Sequence, residues 1–87
     1  MQPQTIKAMI EAGLNNAIAY VEGDGSHFEA AVICPSFSGK TRIQKQQMVY
    51  ATVQKQLLDG TLHALSVSTF TPEEWQTLKD DLETKEK

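Results

Sequence analysis

Eighty-seven residues make one small domain, and 40% hydrophobic against 22% charged residues favours a folded core over disorder. The single cysteine excludes an internal disulfide framework and a thiolate-only metal site, and no apolar run is long enough for a transmembrane helix. Met1-Gln2-Pro3-Gln4 does not open a secretory signal, so the expectation is one domain over residues 1–87, its core at about 6–78, in a reducing cytoplasm.

From Thr5, the apolar residues Ile6, Met9, Ile10, Leu14 and Ala17 recur at three- and four-residue steps, the period of an amphipathic helix, with Asn15-Asn16 as its stop. Ala17 to Val21 then reads as a short strand, closed by Gly23-Asp24-Gly25-Ser26, whose residue types tolerate the positive φ of a tight turn. His27 to Cys34 alternates, with Phe28, Ala30, Val32 and Cys34 on one side and Glu29, Ala31 and Ile33 on the other. The two strands form a hairpin. Pro35 ends it, and Phe37-Ser38-Gly39 is a loop. Thr41-Arg42-Ile43-Gln44 fits a capping box for a helix running to about Leu58, with Ile43, Gln47, Tyr50, Val53, Gln54 and Leu57 on one face and Gly60 as its left-handed cap. Leu62 to Phe70 is a third strand, with His63, Leu65 and Val67 on one side. Thr71-Pro72-Glu73-Glu74 starts a last helix whose stripe is Trp75, Leu78 and Leu82, before a charged tail, Glu83 to Lys87, that frays. The order α-β-β-α-β-α predicts an α+β sandwich, a three-stranded sheet with helices on one face, its strand order open.

The net charge of −3 conceals an asymmetry. Between Ser36 and Leu58 the charged residues are Lys40, Arg42, Lys45 and Lys55, a +4 segment that leaves −7 for the remainder. Such a segment steers an anionic partner, although a solvated helix face is the more ordinary account of it. Of the two histidines, His63 stands at a strand mouth, where an imidazole can bind metal; the plainer reading is a half-buried ring bonded to a neighbouring backbone group. His27 faces away from Phe28 into solvent. Neither belongs to a local zinc motif, and Cys34 reads as a buried, inert thiol. Catalytic constellations are poor, the acid pairs Glu73-Glu74 and Asp80-Asp81 being better explained by helix capping and solvation. No Gly-x-Ser-x-Gly elbow occurs, and Ser38-Gly39-Lys40-Thr41 lacks the first glycine of a phosphate-binding loop.

Four segments in order carry a resemblance: Gly23-Asp24-Gly25-Ser26-His27-Phe28; Phe37-Ser38-Gly39-Lys40 with Arg42 to Tyr50; Leu62-His63-Ala64-Leu65; and Phe70 to Trp75. Together they resemble the BolA family, most closely its short YrbA-type bacterial branch, over about Ile6 to Trp75. The resemblance implies a fold related to the type II KH domain. It also implies a non-enzymatic partner of monothiol glutaredoxins in iron–sulfur trafficking or iron regulation. A [2Fe–2S] cluster would be held between the two proteins, with the glutaredoxin cysteine and glutathione on one side; the isolated chain, taken to be a monomer, would hold none. The histidine of the family's His-Ala-Leu segment maps onto His63 as main ligand. The loop position that carries a second ligand in many members is Asp24 here, with His27 nearby, so either is the auxiliary group. The family is also linked to transcriptional regulation, for which Lys40, Arg42 and Lys45 would contact DNA phosphates. Gly39-Lys40-Thr41-Arg42 lacks the second glycine of the KH RNA-reading loop, which argues against that mode.

Overall fold

The computed structural model describes residues 1–85, with side chains through Leu82. Its elements are α1 (Pro3–Gly13), β1 (Ile18–Gly23), β2 (His27–Ile33), a 3₁₀ turn (Pro35–Phe37), α2 (Arg42–Thr52), α3 (Gln54–Leu58), β3 (Ala64–Phe70) and α4 (Pro72–Lys85). The sheet order is β1-β2-β3, with β1 antiparallel to β2 and β3 parallel to β2. A mixed sheet follows from the connections, a tight hairpin first and then a helical crossover.

Ile6 and Ile10 of α1, Ala19 of β1, Phe28, Ala30 and Val32 of β2, Cys34, Phe37, Val49, Val53, Leu62 and Leu65 form the core. Phe28, Ala30, Val32 and Cys34 are all buried, as expected, and Ile33, on the other side of the strand, is buried as well. The Cys34 thiol donates to the Asn15 carbonyl at 3.4 Å inside this core. Gly60 takes the expected left-handed conformation, with φ of 81°. Both capping boxes form. Thr41 accepts from the Gln44 N–H while Gln44 accepts from the Thr41 N–H, and Thr71 and Glu74 repeat the pattern at the head of α4.

The helix expected to run unbroken to Leu58 is two helices. At Val53 (φ −124°, ψ 18°) the chain leaves helical geometry, and its N–H bonds back three residues to Tyr50. The preceding Thr52 hydroxyl donates to the Val49 carbonyl at 2.6 Å, a bond that competes with the helical ladder in a β-branched pair. The buried face also differs from the one expected. Val53 is buried and Tyr50 and Leu57 pack against the core as expected, but Ile43 is 69% exposed, Gln47 and Gln54 are exposed, and Val49, outside the expected face, is buried.

The layer of helices on one face is made by α1 and α2. The last helix meets the sheet through Trp75, which stacks on Tyr20 (5.6 Å between ring centroids) and tilts against Phe70 (5.2 Å). By strand alternation Tyr20 and Phe70 belong to the face opposite Ala19 and Leu65, so α4 caps one end of the second face. Leu78 and Leu82, expected to pack with Trp75, are exposed. Helix α4 continues to Lys85, past the Glu83 at which fraying was expected; Glu86 and Lys87 lie outside the described residues.

One edge of the sheet is capped by side chains. The Glu11 carboxylate accepts from the Ala19 N–H at 3.0 Å, and Lys7 donates to the Ala19 carbonyl at 2.8 Å, the two also pairing with each other at 2.7 Å. The hydrogen bond from Lys7, and next the one from the Ala19 N–H, hold the Glu11 carboxyl below its ordinary range. A depressed carboxyl stabilises the fold above its unfolded pKa and loses that contribution as pH falls through the folded value. Acidification below the usual glutamate range is therefore expected to expose the Ala19 amide to exchange, after correction for intrinsic rates. Glu11→Gln should abolish that pH dependence, and a protein whose Ala19 protection ignores both would lack this cap.

Candidate functional site

The chemistry-bearing residues gather at the two ends of β3. At its start, His63 stands one residue before the strand and is exposed, which overturns the expected half-buried ring within it. The cause is the neighbouring anchor. Leu62 is buried, its N–H donates to the Gln56 carbonyl at 3.0 Å, and the chain enters the sheet at Ala64. His63 is thus held on a short bridge fixed on both sides, its ring turned outward. Among the described residues no hydrogen bond engages either imidazole.

His27 opens β2 and is exposed, as expected from its position opposite Phe28. Its parallel partner in the sheet is Ala64, so both histidines stand at the same sheet end. Asp24 lies in the turn just before. One of its carboxylate oxygens, Oδ1, accepts from the Ser26 N–H (3.1 Å), the Ser26 hydroxyl (3.2 Å) and the His27 N–H (3.0 Å). The His27 N–H first, then Ser26, lowers its pKa. Asp24 therefore serves as the internal acceptor of the turn, which Gly25 closes with φ of 103°. Among the described residues no three His, Cys, Asp or Glu side chains converge on a common metal position.

At the other end of β3, a groove of about 310 Å³ lies between the strand and the start of α2, lined by Arg42, Lys45 and Gln46 and by Val67 to Phe70. Arg42, which is exposed, and Lys45, which is half-buried, line this groove together, whereas Lys40 is exposed in the loop before α2 and is not part of its lining. Glu74 lies close enough for the Lys45 charge to help lower its pKa, after the larger effect of the Thr71 N–H and hydroxyl. The N–H groups of Thr41 and Gln44 are spent on the capping box at that helix end. At about 3.3 Å per residue, His63 and Thr69 are roughly 20 Å apart along the strand, so the histidine end and the cationic groove are separate surfaces. The cations stand out in the sequence by residue type, whereas the strand edge beside them does not, because strand order has no local signal.

A family model described as BolA-like protein matches residues 2–74. The structure resembles that of a bolA protein homologue from Coxiella burnetii, with a TM-score of 0.79 and 39% identity over 87% of this chain and 97% of that one. The acid stress protein IbaG of Escherichia coli strain K12 is 35% identical over 75 residues, 86% of this chain and 89% of its own length. The DNA-binding transcriptional regulator BolA of the same strain is 32% identical over 79 residues, 91% of this chain and 71% of its own. No helix among the described residues is long and apolar enough to cross a membrane.

Proposed function

The chain belongs to the BolA-like protein family, and from that premise we propose that it is a non-enzymatic adaptor that binds a monothiol glutaredoxin and shares or transfers a [2Fe–2S] cluster. The observation that carries this reading is His63: an exposed imidazole free of internal hydrogen bonds, on a bridge pinned by buried Leu62. The backbone that carries the ring is already ordered, and imidazole is a suitable ligand for iron in a mixed thiolate–imidazole cluster. His27 is the better second donor. It is exposed at the same sheet end, whereas Asp24 is engaged by the turn and offers a hard oxygen to a site that favours nitrogen and sulfur. Two imidazoles cannot complete a cluster, so the partner's cysteine and glutathione would supply the remaining thiolates.

Native mass spectrometry of the protein mixed with a cluster-loaded monothiol glutaredoxin tests the adaptor role. A one-to-one heterocomplex carrying two irons, two sulfides and glutathione is the expected species. Two unassociated proteins at stoichiometric excess would contradict it.

A second reading, DNA binding through Lys40, Arg42 and Lys45, is favoured by Arg42 and Lys45 lining one groove, by the exposure of Lys40 just before it in the chain, and by the BolA regulator among the relatives. Three phosphate contacts would give a salt slope of about −3 in log affinity against log salt. Unchanged affinity and slope in Lys40→Ala and Arg42→Ala would remove this reading.

A further inference from the structure

The two edges of the sheet are treated differently. On β1 the outward N–H and C=O of Ala19 are taken by Glu11 and Lys7, a side-chain substitute for a neighbouring strand. On β3 the direction of each backbone group follows from two bonds. The Phe70 carbonyl accepts from the Cys34 N–H and so faces β2, while the Leu65 carbonyl accepts from the Tyr50 hydroxyl at 2.8 Å and so faces outward. Alternation then turns the N–H and C=O of Val67 and Thr69 outward as well. No described backbone or side-chain group bonds them. They line the groove whose other wall is Arg42, Lys45 and Gln46.

We propose that this groove takes an extended acidic peptide segment of a partner protein, added as a fourth strand along β3. Main-chain hydrogen bonds to Val67 and Thr69 would give the affinity, and carboxylates reaching Arg42 and Lys45 would select the sequence. Charge decides the occupant. The segment from Ser36 to Leu58 carries no acid, so two copies of this chain pairing β3 to β3 would bring their own cations together. A nucleic acid backbone offers phosphate acceptors to the cations but no N–H donors for the outward carbonyls of Val67 and Thr69, whereas a peptide offers both. The groove is separate from the histidine end of β3, and the inference stands whether or not a cluster is bound there.

The test uses the intact protein and a capped peptide of alternating valine and glutamate, matched to the seven residues of β3. Hydrogen exchange read by NMR is expected to slow at the Val67 and Thr69 amides by about tenfold or more, with the Val21 amide on β1 unchanged. N-methylation of one alternate set of peptide amides should abolish binding, while methylation of the other set should leave it. The double variant Arg42→Glu/Lys45→Glu should weaken binding by about tenfold or more. Three results would overturn the proposal: no change at these amides at saturating peptide, equal binding by both methylated peptides, or displacement of the peptide by a duplex DNA that protects the same amides more strongly.

Discussion

Phe28→Ala is expected to destabilise the protein by about 3–5 kcal/mol and to lower its Tm by at least about 12 °C, a large share of the margin a domain of this size possesses. Phe28 is fully buried in the central strand and belongs to the core shared by α1, α2 and all three strands. Its ring also closes against the hairpin. A Cβ placed on Gly23, its cross-strand partner, would lie 2.6 Å from the Phe28 Cδ1, so the backbone there is fitted to the ring. Removing the ring leaves a cavity bounded by strands already paired on both sides of β2, which cannot collapse to fill it. Ile43→Ala is the control. At 69% exposed, Ile43 should cost no more than about 0.5 kcal/mol although it is apolar. Urea unfolding followed by circular dichroism compares the two, and a Phe28→Ala cost below about 1 kcal/mol would mean that the core is organised differently.

The second large effect concerns the histidine end of β3. Loss of cluster from the heterocomplex to a chelator should be about tenfold faster or more in His63→Ala, smaller in effect for His27→Ala, and near the wild-type rate for Asp24→Asn. The order follows from what each group does. His63 presents a ring with no internal bond on an anchored bridge. His27 is the auxiliary donor at the same sheet end; its backbone N–H, not its ring, is tied to the turn. Asparagine at position 24 keeps an oxygen acceptor for the Ser26 and His27 N–H groups, so the turn should persist. A ranking with Asp24 first would move the ligand into the turn. Because Leu62 and not His63 supplies the packing here, His63→Ala should leave the unfolding midpoint nearly unchanged, which separates ligation from folding.

What the sequence disclosed is what lies close together along it. Thr41 with Gln44, and Thr71 with Glu74, announce their helices within four residues, and both boxes form as written. The Phe28-Ala30-Val32-Cys34 alternation encodes its buried face directly. Features set by distant partners were not legible. The break at Val53 depends on how the Thr52 hydroxyl turns to Val49, and the outward position of Ile43 on how α2 lies across the sheet. His63 continues the alternation of Leu65 and Val67 on paper, yet the bond from the Leu62 N–H to Gln56 bends the chain out of the strand before it. The same holds for function. Lys40, Arg42, Lys45 and the histidines stand out by residue type, whereas the unpaired edge of β3 exists only once the order β1-β2-β3 is known.

The central claim is that His63 binds a cluster whose thiolates come from a partner. Visible circular dichroism of a [2Fe–2S]-loaded monothiol glutaredoxin, titrated with this protein, tests it most directly. The expected result is a new cluster spectrum that saturates at one equivalent and does not develop with His63→Ala. A spectrum unchanged beyond equivalence, or one that changes identically with His63→Ala, would contradict it.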